Sequence, residues 1–224
     1  MKRINIFTGH FGSGKTEIAI NFARKLAKEG RKVVIVDLDI VNPYFCVREL
    51  KKELESEGIK VISSNPEYVN AELMVVPPEV LSIFNDKSYD VVIDVGGDDQ
   101  GAIALGQYNR YFREEPYEMY FVVNTNRPFT GETQDIEEYI RDIQIASRLQ
   151  ITKLINNTNL SYETTMNDIL AGHKEVEKIS VKNNIPYEFT VCKREFVEEI
   201  SSLINKEIFP IDIFMMPPWR KHML

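Results

Sequence analysis

The chain has 224 residues, with 34 acidic against 27 basic side chains and a net charge of −7. That length suits one continuous core, and the acidic balance argues against a surface built to grip nucleic acid. Two cysteines, Cys46 and Cys192, are too few for a disulfide scaffold or a four-cysteine zinc site. No apolar run reaches membrane-spanning length, and residues 1–5 lack the apolar centre of a signal peptide, so a cytoplasmic protein with no membrane attachment is expected.

The first apolar run, residues 4–8, reads as a strand, and it leads directly into Gly9-His10-Phe11-Gly12-Ser13-Gly14-Lys15-Thr16. This fits GxxxxGK[ST] without a gap. Glycines let a backbone fold around an anion, and the following helix N-terminus adds partial positive charge. Lys15 is placed to reach the β- and γ-phosphates, and the Thr16 hydroxyl to ligate Mg²⁺. Residues 15–29 carry Ile18, Phe22 and Leu26 at helical spacing, and Gly30 stops them. A second strand at 33–37 runs into Asp37-Leu38-Asp39. Alternation puts both carboxylates on one side of the chain at the strand's carboxyl end, one to support a metal shell and the other to position water.

A polar helix is expected at 43–57, ended by Gly58, and a third strand at 59–62. Residues 63–78 contain Asn65-Pro66 and Pro77-Pro78 and read as a long surface excursion. The strand 89–95 delivers Asp94, placed to hold Mg²⁺, and Gly97 can bring a backbone N–H close to a γ-phosphate. Then follow a helix at 100–113, a strand at 118–124 with Arg127 beyond it, and a helix at 132–149. The strand 152–156 ends in Asn156-Asn157, and a helix at 164–183 carries His173, expected to face solvent as His222 does. A strand at 187–191 and a helix at 195–205 complete the alternation. The apolar runs are rich in Val and Ile, as in parallel strands covered on both faces.

The expected architecture is therefore α/β: a three-layer P-loop NTPase fold with a seven-stranded, mainly parallel sheet flanked by helices. Residues 1–205 would form the nucleotide-binding domain. Residues 206–224 would form a C-terminal apolar arm rather than a separate domain, with Pro217-Pro218 forbidding a continuous helix.

The P-loop, the Val-Asp-Leu-Asp after the second strand and the later Ile-Asp-Val-Gly-Gly together resemble the MinD/ParA/CobQ-CobB group of P-loop ATPases, of the SIMIBI class. The resemblance implies Mg²⁺-dependent ATP binding with slow hydrolysis, acting as a nucleotide-dependent switch for an unidentified protein partner. It implies that Asp39 orients water, leaving Asp37 with Thr16 and Asp94 to the metal, and that Gly97 belongs to the second switch. Lys15, Asp39 and Asp94 would carry catalysis. Asn156 would read the adenine edge, with Asn157 as the alternative, against a wall formed by residues 186–192. A family lysine that serves an ATP-sandwich homodimer is replaced here by His10, and a family glycine by Phe11. A small-molecule synthetase or kinase of the CobB type, and a nucleotide-bound adaptor with negligible hydrolysis, are the alternative readings.

Overall fold

The computed structural model describes residues 1–39, 45–63, 78–97, 99–128 and 133–215. Eight strands form one sheet: β1 (Ile4–Thr8), β2 (Val33–Leu38), β3 (Lys60–Ser63), β4 (Asp90–Val95), β5 (Tyr117–Val123), β6 (Lys153–Asn156), β7 (Tyr187–Lys193) and β8 (Glu207–Ile211). Their order is β3-β2-β4-β1-β5-β6-β7-β8, and every pairing is parallel. From β1 the chain first runs out to β3, then returns through β4 and continues past β1 to β8, so the strand order switches beside β1, where open α/β sheets present ligand crevices.

Among the described residues the sheet has eight strands rather than seven, because the first part of the expected arm is the edge strand β8. Phe209 and Ile211 point into the core, and Pro210 is tolerated because an edge strand has one side unpaired. Residues 216–224, with Trp219 and His222, and the excursion at 64–77 lie outside the described residues.

The helices are α1 (Lys15–Lys28), α2 (Lys51–Ser56), α3 (Ser82–Asn85), α4 (Asp99–Gly106), α5 (Asn109–Phe112), α6 (Thr133–Ser147), α7 (Met166–Asn183) and α8 (Val197–Leu203). Strand alternation feeds two apolar layers. Ile4, Ile6, Val34, Val36, Val91 and Ile93 pack with Ala102, Leu105, Ile136, Ile140 and Val176 on one face. Phe7, Val33, Ile35, Val92 and Val122 pack with Ile18, Phe22, Leu26 and Leu54 on the other. Full burial of each large side chain contributes about 1.5–3 kcal/mol, which makes α1 a firm support for the loop it starts from.

Two local expectations need correction. The helix expected at 100–113 is split into α4 and α5, because Arg148 Nη2 donates to the Gly106 carbonyl at 2.7 Å and diverts it from the helical ladder. His173 does not face solvent. It is 8% exposed, its Nδ1 sits 3.1 Å from the Tyr187 hydroxyl, and burial lowers its pKa. Among the described residues, no helix is long and apolar enough to cross a membrane.

Candidate functional site

The phosphate loop joins β1 to α1 at the sheet's centre. Gly9, Gly12 and Gly14 all adopt positive φ (143°, 75° and 88°), which L side chains rarely tolerate. Space forbids a side chain as well, since a Cβ on Gly9 would stand 2.5 Å from Val122 O and one on Gly14 2.3 Å from Asn157 Nδ2. The loop's carbonyls are held by side chains around it. Lys15 Nζ donates to His10 O at 3.2 Å, Arg127 Nε to Gly12 O at 3.0 Å and Asn157 Nδ2 to Ser13 O at 2.7 Å. With these carbonyls engaged, the loop keeps its N–H edge for an anion. The Ser13 hydroxyl is buried with no hydrogen-bond partner within the protein.

Beside the loop stand two strand-end acids. Register places Asp37 of β2 opposite Asp94 of β4. Thr16 Oγ1 donates to Asp94 Oδ2 at 2.7 Å, while Asp94 Oδ1 is buried and unpartnered. Burial and then the neighbouring Asp37 raise the Asp94 pKa, and the Lys15 ammonium works against them. The hydroxyl and the orphaned carboxylate oxygen are hard donors suited to Mg²⁺. Among the described residues no three His, Cys, Asp or Glu side chains gather as a metal group, so an ion here would need oxygens from a nucleotide and water as well.

Asp37 is engaged differently. Its Oδ2 accepts from Arg48 N and Arg48 Nη1, each at 3.2 Å, and its Oδ1 accepts from Asp39 N at 3.0 Å. Burial pushes its pKa up to about 6, while Arg48 pulls it back. Arg48 Nη1 also donates to Asp39 O at 2.8 Å, tying the exit of β2 to the turn at Val47–Leu50. Asp39 itself is buried and lines the cavity. Gly97 sits against the loop: a Cβ there would be 2.7 Å from Phe11 N and 2.8 Å from Lys15 Nζ. Its carbonyl accepts from Tyr139 OH at 2.6 Å, and the Tyr139 ring meets His10 edge-on at 5.0 Å. Phe11 is 64% exposed at the cavity mouth.

A cavity of about 480 Å³ runs from Gly12, Lys15 and Thr16 toward the ends of β7 and β8. Of the two asparagines, Asn157 lines it. Asn156 is fully buried, its amide N donating to Ile169 O at 3.1 Å and its oxygen accepting from Thr158 N at 3.1 Å. Of residues 186–192, Val191 and Cys192 line the cavity.

A family model for the CobQ/CobB/MinD/ParA nucleotide binding domain (CbiA) matches residues 4–199. The chain belongs to this family. It is a P-loop nucleotide-binding domain of the CobQ/CobB/MinD/ParA type, with His10 and Phe11 in its phosphate loop. No curated protein sequence matches the chain. Among solved structures, FtsY from Mycoplasma mycoides superposes with a TM-score of 0.55 at 19% identity, over 84% of this chain and 59% of that one. The cell division protein FtsY from Thermotoga maritima gives 0.55 at 21% identity, over 84% and 60%. The signal recognition particle receptor FtsY from Elizabethkingia anophelis, in complex with GDP, gives 0.55 at 18%, over 85% and 57%. At these identities the likeness is one of fold. The chain spans less than two thirds of the length of these FtsY proteins.

Several residues of this family member's site carry no motif. Glu17, Arg48, Tyr139 and Phe196 each touch the cavity or its supporting bonds, as do Ile211, Ile213 and Met215 at the C-terminal end. Only the position of Glu17, next to the motif's threonine, hints at a role in sequence.

Proposed function

We propose that the chain binds ATP with Mg²⁺, hydrolyses it slowly, and switches a partner protein according to the nucleotide held. The observation that carries this reading is the join between Thr16 and Asp94 behind a glycine-built loop, with one carboxylate oxygen buried and unpartnered. When bound, Mg²⁺ would neutralise phosphate charge, and Thr16 and Asp94 are the residues to hold its shell. Lys15 would meet the terminal phosphates. Asp39, at the β2 exit, would orient the attacking water, and Asp37 would act through Arg48 by fixing that exit in place.

The choice of adenine rests on the acids in the cavity. Guanine recognition calls for an acceptor, normally a carboxylate, facing its N–H groups. Among the described residues the lining acids are Asp39, at the β2 exit, and Glu17, whose two oxygens accept from Phe214 N at 2.7 Å and Met215 N at 3.1 Å. Asn157 offers an amide of the type that suits adenine.

Calorimetry with ATP and GTP, in Mg²⁺ and in EDTA, tests the reading directly. ATP should bind in Mg²⁺ and at least tenfold more weakly in EDTA, GTP should be at least tenfold weaker than ATP, and Lys15→Ala should reduce binding at least 100-fold. Binding indifferent to Lys15→Ala would overturn the site. Tighter binding of GTP would overturn the base assignment. Hydrogen exchange around residues 45–50 should slow with ATP relative to ADP if Arg48 and its turn respond as a switch.

A further inference from the structure

We infer that residues 212–215, which follow β8, form the base-contacting wall of the nucleotide cavity, and that Glu17 and Asn21 of α1 clamp that wall in place. The inference rests on the nucleotide site proposed above and assigns the determinant of how long the base is retained.

The segment is held at every residue but one by something outside itself. Asn21 forms a paired bridge with Asp212, its amide N donating to Asp212 O at 2.9 Å and its oxygen accepting Asp212 N at 2.9 Å. The Asp212 carboxylate receives two bonds from Arg194, each 2.8 Å. Phe214 N and Met215 N donate to the two oxygens of Glu17. The Phe214 ring lies under the Arg24 guanidinium, 3.9 Å from it, and Arg24 is itself bound to Glu53 of α2 and to Glu57 just past its end. Glu17 and Asn21 are four apart, so they stand on one face of α1 and grip the segment as a pair.

Extended backbone alternates its side chains. With Asp212 and Phe214 turned to Arg194 and Arg24, the alternate residues Ile213 and Met215 face the cavity, where they join Ile211, Val191 and Cys192. β7, which carries Val191 and Cys192, is third from β1 in the sheet and β8 is fourth; strands lie about 4.8 Å apart, so this wall stands roughly 14–19 Å along the sheet from β1. An apolar face at that distance suits a nucleobase stacked between aliphatic side chains, not a phosphate. It explains why Glu17, beside the Thr16 assigned to the Mg²⁺ shell, holds backbone N–H groups that lie 197 and 198 residues further along the chain.

The test compares a nucleotide with a ligand that has phosphates and no base. Dissociation of a fluorescent N-methylanthraniloyl ATP is followed by stopped flow, and inorganic tripolyphosphate affinity by calorimetry, using the full chain. Ile213→Ser with Met215→Ser removes the apolar face and leaves the backbone clamp. Asn21→Ala weakens the clamp and leaves the face. Both variants should release the nucleotide about tenfold faster or more, equivalent to about 1.4 kcal/mol, while tripolyphosphate affinity stays within twofold. Unchanged nucleotide release in the Ile213/Met215 variant would overturn the wall, and an equal loss for both ligands would show that the segment acts on the phosphate loop instead. A wild-type chain that binds neither ligand would refute the nucleotide site itself, a result distinguishable from either of these.

Discussion

Replacing Asp94 by asparagine should separate what the site does from what the fold needs. Asp94 is fully buried, bonded to Thr16 through one oxygen and unpartnered at the other. An unsatisfied buried polar atom costs about 1–3 kcal/mol, and a buried ion several kcal/mol more without compensation. Lys15 supplies part of that compensation and Asp37 opposes it. Asparagine keeps an acceptor for the Thr16 hydroxyl and removes the charge. The nucleotide-free protein in EDTA at pH 7.5 should therefore gain about 1–3 kcal/mol, a rise in Tm of roughly 2–12 °C for a chain of this size.

The pH dependence follows from the sign of the shift. A carboxyl whose folded pKa is raised above its ordinary value of 3.8 binds its proton more tightly in the folded state. Wild-type stability from this group is thus fullest below that value and declines as pH rises above it. The advantage of Asp94→Asn should be small near pH 4 and grow toward neutrality. In Mg²⁺ the same variant should lose at least tenfold in ATP turnover, and its melting point should respond little to ATP. Thermal and urea denaturation, paired with a phosphate-release assay, read all three quantities. A variant less stable than wild type in EDTA at pH 7.5 would refute the reasoning about the orphaned oxygen, and full Mg²⁺-dependent turnover would remove Asp94 from the metal shell.

Arg48→Ala should destabilise the chain by about 3–5 kcal/mol in urea, because it leaves Asp37 buried without its cation, and adding Asp37→Asn should recover most of the loss. Gly172→Ala should cost about 1–3 kcal/mol by overpacking, since its Cβ would stand 2.0 Å from Thr158 Oγ1, although alanine is the better helix former by about 1 kcal/mol; a stabilised variant in chemical denaturation would show that the Thr158 turn yields freely. Burial holds the His173 pKa below its free value of 6.5, so its contribution is present above that pH and lost as pH falls through it. The stability gap between wild type and His173→Gln should accordingly be narrower at pH 5.5 than at pH 7.5, and an unchanged gap in urea denaturation would contradict the assignment.

The phosphate loop was legible because its chemistry is contiguous: every glycine, the lysine and the threonine lie within eight positions, flanked by a strand and a helix. Asp94 was legible from its place at a strand end. What stayed hidden depends on partners distant in the chain. The break between α4 and α5 is imposed by Arg148, 42 residues beyond the carbonyl it captures. His173 looks like a polar residue on a polar helix until Tyr187 is folded against it. Asn156 and Asn157 are adjacent where a strand becomes a loop, so alternation sends one amide inward and the other into the cavity, and composition cannot tell which. β8 was obscured by Pro210, a residue that argues against a central strand but not against an edge.

The edge strand also changes what α1 does. In a sheet ending at β7, the helix after the phosphate loop would only cover strands and present its N-terminus to an anion. With β8 in place, consecutive residues of its first turn divide the work: Thr16 reaches Asp94 on β4, and Glu17 reaches the backbone that leaves β8. Successive helical positions differ by about 100° in direction, so the two contacts leave one rigid turn on different flanks. The turn therefore serves two sites at once, Thr16 on the side of β4 and Glu17 on the backbone that leaves β8, and the clamp on 212–215 can be weakened while the Thr16–Asp94 contact stays intact.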